Sequence, residues 1–438
     1  MAREEKREGR RDFLKAAAGG IIGLVVGAAI GSQAFPRTVV ETKTEVKTET
    51  KTVERTVTQT VTVTPSEALP AWEYGRFVFV PNRGENTLSV IDTKTDEVIK
   101  TIVTGSGPSL SGMTPDGKKL YVSNRGGVDI AVVDTVNLKV IKTITVGERP
   151  NHPVVSPNGR YVAANHDRDN KTVIIDTTTD TIVKTLELPA EKAMMHPGWT
   201  WDSKYLFAQD FIKNVVFVIE APRFEIVKTL QMESRPHYFV ATRDNKEVWI
   251  VLEGKGDIPP AVAILDLSTM SIVDKITISV PPGEPVEGHH GVFSSDGKYF
   301  YYANRGPPPH FGGRSLFVIE TSTRRVIKRI EVGNGAGHPY LSPDGRYIFV
   351  GCYNDNTVAV IDTKTHEKIK EIKAGDGKNS GHVAFTLDGK KAYINNNKDH
   401  AVYVVDVERL EVIKKIPTGK AADYVVNVYR NILEMWWK

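Results

Sequence analysis

The 438-residue chain has a single cysteine, Cys352. No disulfide can form within it, and no C-x-x-C-H site can attach a c-type haem. Net charge is scarce too: 57 Lys and Arg against 53 Asp and Glu leave +4. Without a basic stripe the chain lacks the electrostatic footprint of a nucleic-acid binder. No H-E-x-x-H or G-x-S-x-G occurs, which excludes two common hydrolase signatures. "GNGAG" at 333–337 has no helical pattern after it and reads as a turn rather than a phosphate cradle. The apolar run from Ala16 to Ile30 falls short of the roughly 20 residues of an ordinary membrane span.

What is present begins with Arg10 and Arg11, followed by Phe13-Leu14-Lys15 and that apolar run. The pattern resembles a twin-arginine export signal, which implies export of an already folded chain to the periplasm or cell surface. "SQA" before Phe35 offers a cleavage site, and retention as a membrane anchor stays open. Residues 1–34 are therefore read as signal or anchor. Residues 35–70 are rich in Thr, Val, Lys and Glu, with rough period-two alternation and no evident pairing partner. They read as an extended stalk holding a domain off a membrane or cell wall, with a short coiled coil as the competing form.

From Gly75 onward one pattern is rewritten eight times, as in "DGRYIFVGCYNDNTVAVIDTKTHEKIKEI" at 344–372. The turn residue falls at Asp116, Asn158, Asp202, Asp244, Asp296, Asp344 and Asp388. A period near 40 to 50 residues with four short β-rich runs per unit predicts a β-propeller. Each unit reads as an inner strand a, a "PDG"-type turn, strands b and c, a "DTKT"-type turn and an outer strand d. The first unit lacks strand a, and "ADYVVNVYR" at 422–430 is a strand without b, c and d after it. The fold class is thus all-β: an eight-bladed propeller over 71–430, closed by the C-terminal strand. The apolar tail 431–438 is left for rim packing or assembly. "YVSN" at 121–124 gives the repeats a resemblance to YVTN-type propellers, a class that hosts many functions.

Six of the eleven histidines occupy one place in the repeat. His152, His196, His290, His338 and His382 each lie six residues before their turn residue, and His237 lies seven before Asp244. Leu110 takes that place in the second unit. Strand a lines the central channel of a propeller, and its start shares one face with the b–c loops. Six imidazoles should therefore converge there, beside Arg83, Arg125, His166, Arg305, Cys352-Tyr353 and Asn396 from b–c loops. The longest insertions, 254–261, 279–290 and 305–314, fall on the same face. A histidine in front of "SPDG" also suits a purely structural repeat, bonding a neighbouring blade. A whole ring of them points instead to a ligand: a metal, a haem or an anion.

"KAMMHPGWTWDSKYLFAQDFIKNVVFVIE" and, one blade later, "ESRPHYF" resemble the haem d1 propeller of cytochrome cd1 nitrite reductases. The resemblance implies a tetrapyrrole, with His196 and His237 on its open side as catalytic proton donors. It also implies His152, in "RPNHP", as axial ligand of the iron. Arg149, Arg235, Arg125 and Arg305 would pair with the macrocycle's carboxylates; as solvated rim charges they would need no ligand. "PGW" after His196 and "YF" after His237 depart from the family pattern, and no c-haem domain is present to deliver electrons. The likeness is therefore to single-domain exported proteins of haem d1 biogenesis, acting with a biogenesis or electron-transfer partner.

Two other classes stay open. Copper held by His152, His290, His338 and His382 resembles the propeller histidine cluster of nitrous oxide reductase, with Cys352 as a further thiolate ligand or simply a buried residue. A stalked surface propeller with no cofactor would bind a polysaccharide, peptide or envelope partner.

Overall fold

The computed structural model describes residues 38–42, 58–62, 72–166, 170–189, 196–376 and 380–426. The proposed export signal and the apolar tail lie outside them. Contacts divide the chain into 1–70 and 71–438. Within the first unit Thr38–Thr42 pairs antiparallel with Thr58–Thr62. The strand partner that the sequence pattern did not supply is thus the segment's own far end.

In the second unit the described residues form strands and turns without a helix. Seven four-stranded sheets and one three-stranded sheet follow one another, each a meander of neighbouring antiparallel strands. The three-stranded sheet is blade 1: Phe77–Asn82, Thr87–Asp92 and Glu97–Val103. Its missing inner strand comes from the C-terminus, where Val426 exchanges backbone hydrogen bonds with Phe79, and Asp423 N–H donates to Pro81. Eight blades closed by the last strand are the observed architecture.

Alternation decides the layers. Strands b and c are buried on both faces, as in Tyr347–Cys352 and Thr357–Asp362, and their residues are aliphatic or aromatic because both faces meet a neighbouring blade. Strand d is mostly exposed, as in Glu367–Lys373, so it tolerates Lys and Glu. A register shift breaks every c–d pairing at one place, for example Val360/Ile361. Such bulges increase strand twist.

The a–b and c–d turns are locally self-sufficient. Ser342 Oγ donates to Asp344 Oδ1 (2.6 Å), Arg346 N–H donates to the same oxygen (3.0 Å), and Gly345 takes the left-handed conformation (φ 72°) that the turn demands. In the last blade Thr386 and Asp388 repeat the arrangement. Blades also clasp one another: Lys119 Nζ of blade 2 meets Asp180 of blade 3 at 2.7 Å, with Tyr121 donating to the same carboxylate. Lys391 and Tyr393 of blade 8 grip Asp96 of blade 1 in the same way, locking the ring.

Candidate functional site

The inner strands carry a second irregularity at the histidines. Register shifts fall between Pro236 and Tyr238, Gly288 and Gly291, Ala336 and Pro339, and Ser380 and Val383. The residues skipped are His237, His289–His290, Gly337–His338 and Gly381–His382. In blade 3, Pro150 bridges His166 and pairing resumes only at Val154, leaving His152 between. A bulge frees a residue from the ladder and re-aims its side chain. The repeat's bulge, which blade 2 also has at Ser109–Leu110, thus aims inner-strand side chains into the channel, and most blades place a histidine on it.

They meet there as a closed ring. His152 Nδ1 lies 2.7 Å from His196 Nδ1. Ring centroids follow at 5.0 Å from His196 to His290, 3.9 Å from His290 to His338 and 4.6 Å from His338 to His382. Tyr424 of the closing strand bridges the gap, 4.8 Å from His382 and 6.2 Å from His152. His237 sits 5.2 Å from His196, and His289 sits 4.2 Å from His237. His289 and Tyr424 were not singled out in the sequence. His289 adjoins a regular ring position and carried its own signal in "GHH"; Tyr424 gave none, because the closing strand has no turn to fix its register.

Burial sets the chemistry. Desolvation pushes the imidazoles of His196, His289 and His290 well below the ordinary histidine value; neighbouring imidazoles act in the same direction, as does Arg305 on His196 and His289. Neutral imidazoles are ligands for metal or haem iron. His237 Nε2, His289 Nδ1 and His290 Nδ1 are buried with no hydrogen-bond partner among the described residues. Such groups cost stability unless something fills them.

Above the ring a pocket of about 300 Å³ opens on the b–c face, lined by Arg83, Arg125, Arg305, His196, His289, His338 and His382, among others. Arg305 stacks over Phe311 (4.8 Å), which comes from the 305–314 insertion. It pairs with Glu287 and reaches His289 Nε2 at 3.1 Å. Burial pushes the Glu287 carboxyl up, while Arg305 pulls it down. Tyr353 bonds His338 Nδ1 and lies in a slot kept open by Gly337 and Gly381, where any Cβ would strike its ring. Asp423 faces the same pocket, bonded by Ser109. Below the ring the channel holds a cavity of about 80 Å³ lined by His152, His290 and His338, with Trp199 and Trp201.

Several sites foreseen in the sequence therefore separate. Arg125, Arg305, His196, His338 and His382 line the pocket. His152 and His290 line the channel below it, and His237 is 1 % exposed and bonded to Glu253 Oε1 at 2.6 Å. Arg235 stands at the rim, 3.6 Å from Glu253, and Arg149 is not among the pocket's lining residues. Glu253 and Glu287, both buried, were missed: Glu253 takes the place after strand b that Arg83, Arg125 and Arg305 hold in their blades, and Glu287 lies in the 279–290 insertion just before its inner strand. Cys352 is buried in the core between blades, where burial pushes its thiol up to about 12, so it is no ready thiolate.

Fold and site together define an eight-bladed propeller with a histidine floor and an arginine wall. Residues 37–160 match the family model described as YNCE-like beta-propeller, and residues 342–430 match the Cytochrome D1 heme domain. The second match covers the last two blades, whereas the haem d1 resemblance read from the sequence lay in blades 3 to 5. The fold is similar to that of the dihydro-heme d1 dehydrogenase NirN in complex with DHE (TM-score 0.69, 20% identity, 83% of this chain and 78% of that one). It is also similar to hydrazine synthase from Kuenenia stuttgartiensis (TM-score 0.57, 21% identity, 68% and 95%). A functionally unknown protein from Desulfotomaculum acetoxidans shares it as well (TM-score 0.54, 13% identity, 80% and 98%). No curated protein sequence matches.

Proposed function

We propose that this propeller binds a carboxylate-bearing tetrapyrrole of the haem d1 type on its histidine face, as an exported component of nitrogen-oxide metabolism or of haem d1 biogenesis. One observation carries the reading: a ring of imidazoles, with His196 and His289 buried and held neutral by desolvation, floors a pocket whose walls bear Arg83, Arg125 and Arg305. The family match of residues 342–430 and the similarity to NirN support it.

The residues fit such a group. Its charged rim needs guanidinium partners, and Arg305 Nε is buried with no partner among the described residues. Its metal needs a neutral nitrogen, and His196, His289, His338 and His382 border the pocket. His152, which the family resemblance implies as axial ligand, does not line the pocket, so the pocket-facing imidazoles are the better candidates. About 300 Å³ is at the small end for a ligand site; part of the macrocycle would stand at the mouth, beside the exposed Arg83. When bound, an iron tetrapyrrole supplies a redox-active centre for small nitrogen oxides. The chain's own part is to anchor carboxylates through arginine, to exclude water with Phe311, and to offer imidazoles for ligation and proton exchange.

Titration of the purified chain with haem d1, followed by its visible spectrum, tests this. The wild type should give a shifted band saturating at one equivalent. Arg125→Ala with Arg305→Ala should weaken binding at least tenfold. A spectrum identical to that of free haem d1 at every ratio would leave the stalked binding module without a cofactor as the function.

A further inference from the structure

The floor of the pocket holds a second arrangement, which shares only His196 with the imidazoles that border the tetrapyrrole pocket. His196, His237 and His290 are each at least nine-tenths buried, and a ligand nitrogen from each lies within 4.8 Å of the other two. His237 is set up asymmetrically. Its Nδ1 is bound to the buried carboxylate of Glu253 at 2.6 Å, and its Nε2 is buried with no partner among the described residues. Arg235 holds Glu253 from its outer side at 3.6 Å.

We propose that His196, His237 and His290 form a three-histidine site for one transition-metal ion, zinc(II) or copper(I), with Glu253 as the partner that orients His237. Metal-bound histidines usually donate their second N–H to a carboxylate or carbonyl, which fixes the tautomer and leaves the other nitrogen for the ion. Three imidazole ligands with no carboxylate or thiolate in the set suit zinc or copper rather than calcium or magnesium. Bonds of 2.0–2.1 Å to a tetrahedral ion put ligand nitrogens about 3.4 Å apart, so modest ring rotations close the set and leave a fourth position for a small ligand.

A neighbouring trio, His289, His290 and His338, is equally close-packed. It is the poorer site: the Arg305 guanidinium touches His289 Nε2 at 3.1 Å, and Tyr353 occupies His338 Nδ1. A positive charge in contact disfavours a cation, whereas Glu253 favours one.

The test uses the full chain with a histidine-free tag, stripped by chelator and titrated with zinc(II) alone and with copper(I) alone against a chromophoric competitor. One equivalent of either ion should bind and raise Tm by several degrees. His237→Ala and His290→Ala should weaken binding at least 100-fold, and Glu253→Gln, which keeps size and fold, 10- to 100-fold. Arg125→Ala with Arg305→Ala, which removes positive charge near His196, should hold the ion at least as tightly as wild type while losing the tetrapyrrole, which separates this site from the tetrapyrrole pocket. Binding unchanged in both His237→Ala and Glu253→Gln, or no ion held by the wild type against a micromolar competitor, would overturn the proposal.

Discussion

The two ends of the propeller solve opposite problems with the same repeat. At one end lie the a–b and c–d turns, where the polar groups bond one another: Ser342 with Asp344, Thr386 with Asp388, Asp362 with the amides of Lys364 and Thr365. At the other end imidazoles crowd into a dry ring with nitrogens left over. Turn chemistry that closes its own hydrogen bonds is there for folding. Buried polar groups that the fold leaves unmet are there for something the fold does not contain.

Breaking the turn end should cost stability. The largest effect belongs to Asp96, whose carboxylate joins blade 8 to blade 1 through Lys391 and Tyr393 and whose φ is 56°. Asp96→Ala should destabilise by about 3 kcal/mol, since it strands a partly buried charge and puts alanine in the left-handed region. Denaturant unfolding checks it.

The histidine end should respond to pH instead. His196, His289 and His290 are depressed in the folded state by burial. Below about pH 6.5 the unfolded chain therefore binds protons that the folded chain refuses. Their contribution to stability is present above that pH and is lost as pH falls from about 6.5 toward the folded values. The slope is up to about 1.4 kcal/mol per pH unit for each histidine. In metal-free protein His289→Leu should flatten the curve between pH 6.5 and 5 by about one proton; an unchanged slope would mean that His289 is protonated in the fold.

Smaller effects sharpen the contrast. Asp388→Ala removes a turn acceptor bonded to Thr386 and Lys390 and should cost about 1 kcal/mol by thermal unfolding. His290→Leu, by contrast, replaces an imidazole whose Nδ1 is unmet. It should be neutral or stabilising by up to about 1 kcal/mol in metal-free protein while lowering ligand affinity. A large loss of stability would assign His290 to the fold.

Much of this was legible in the sequence, because a repeat prints its geometry several times over. Blade number, closure by a strand within 422–430 and the shared place of the six histidines all follow from reading the repeat against its own turns. Residues without a counterpart in the repeat were not legible. Glu287 sits in an insertion, and Tyr424 sits on a strand whose register is set by Phe79 and Pro81 of the first blade. Which side of the floor each imidazole faces was also hidden. His382 reaches the pocket, His152 turns below it and His338 borders both, because bulge and neighbour packing, rather than spacing, aim the ring.

The most direct measurement of the histidine face is the visible spectrum and iron content of the chain isolated from its own host. A tetrapyrrole band with about one iron per chain, retained in Asp388→Ala and lost in Arg125→Ala with Arg305→Ala, is the predicted result. A colourless, iron-free protein from the same source would contradict the tetrapyrrole function.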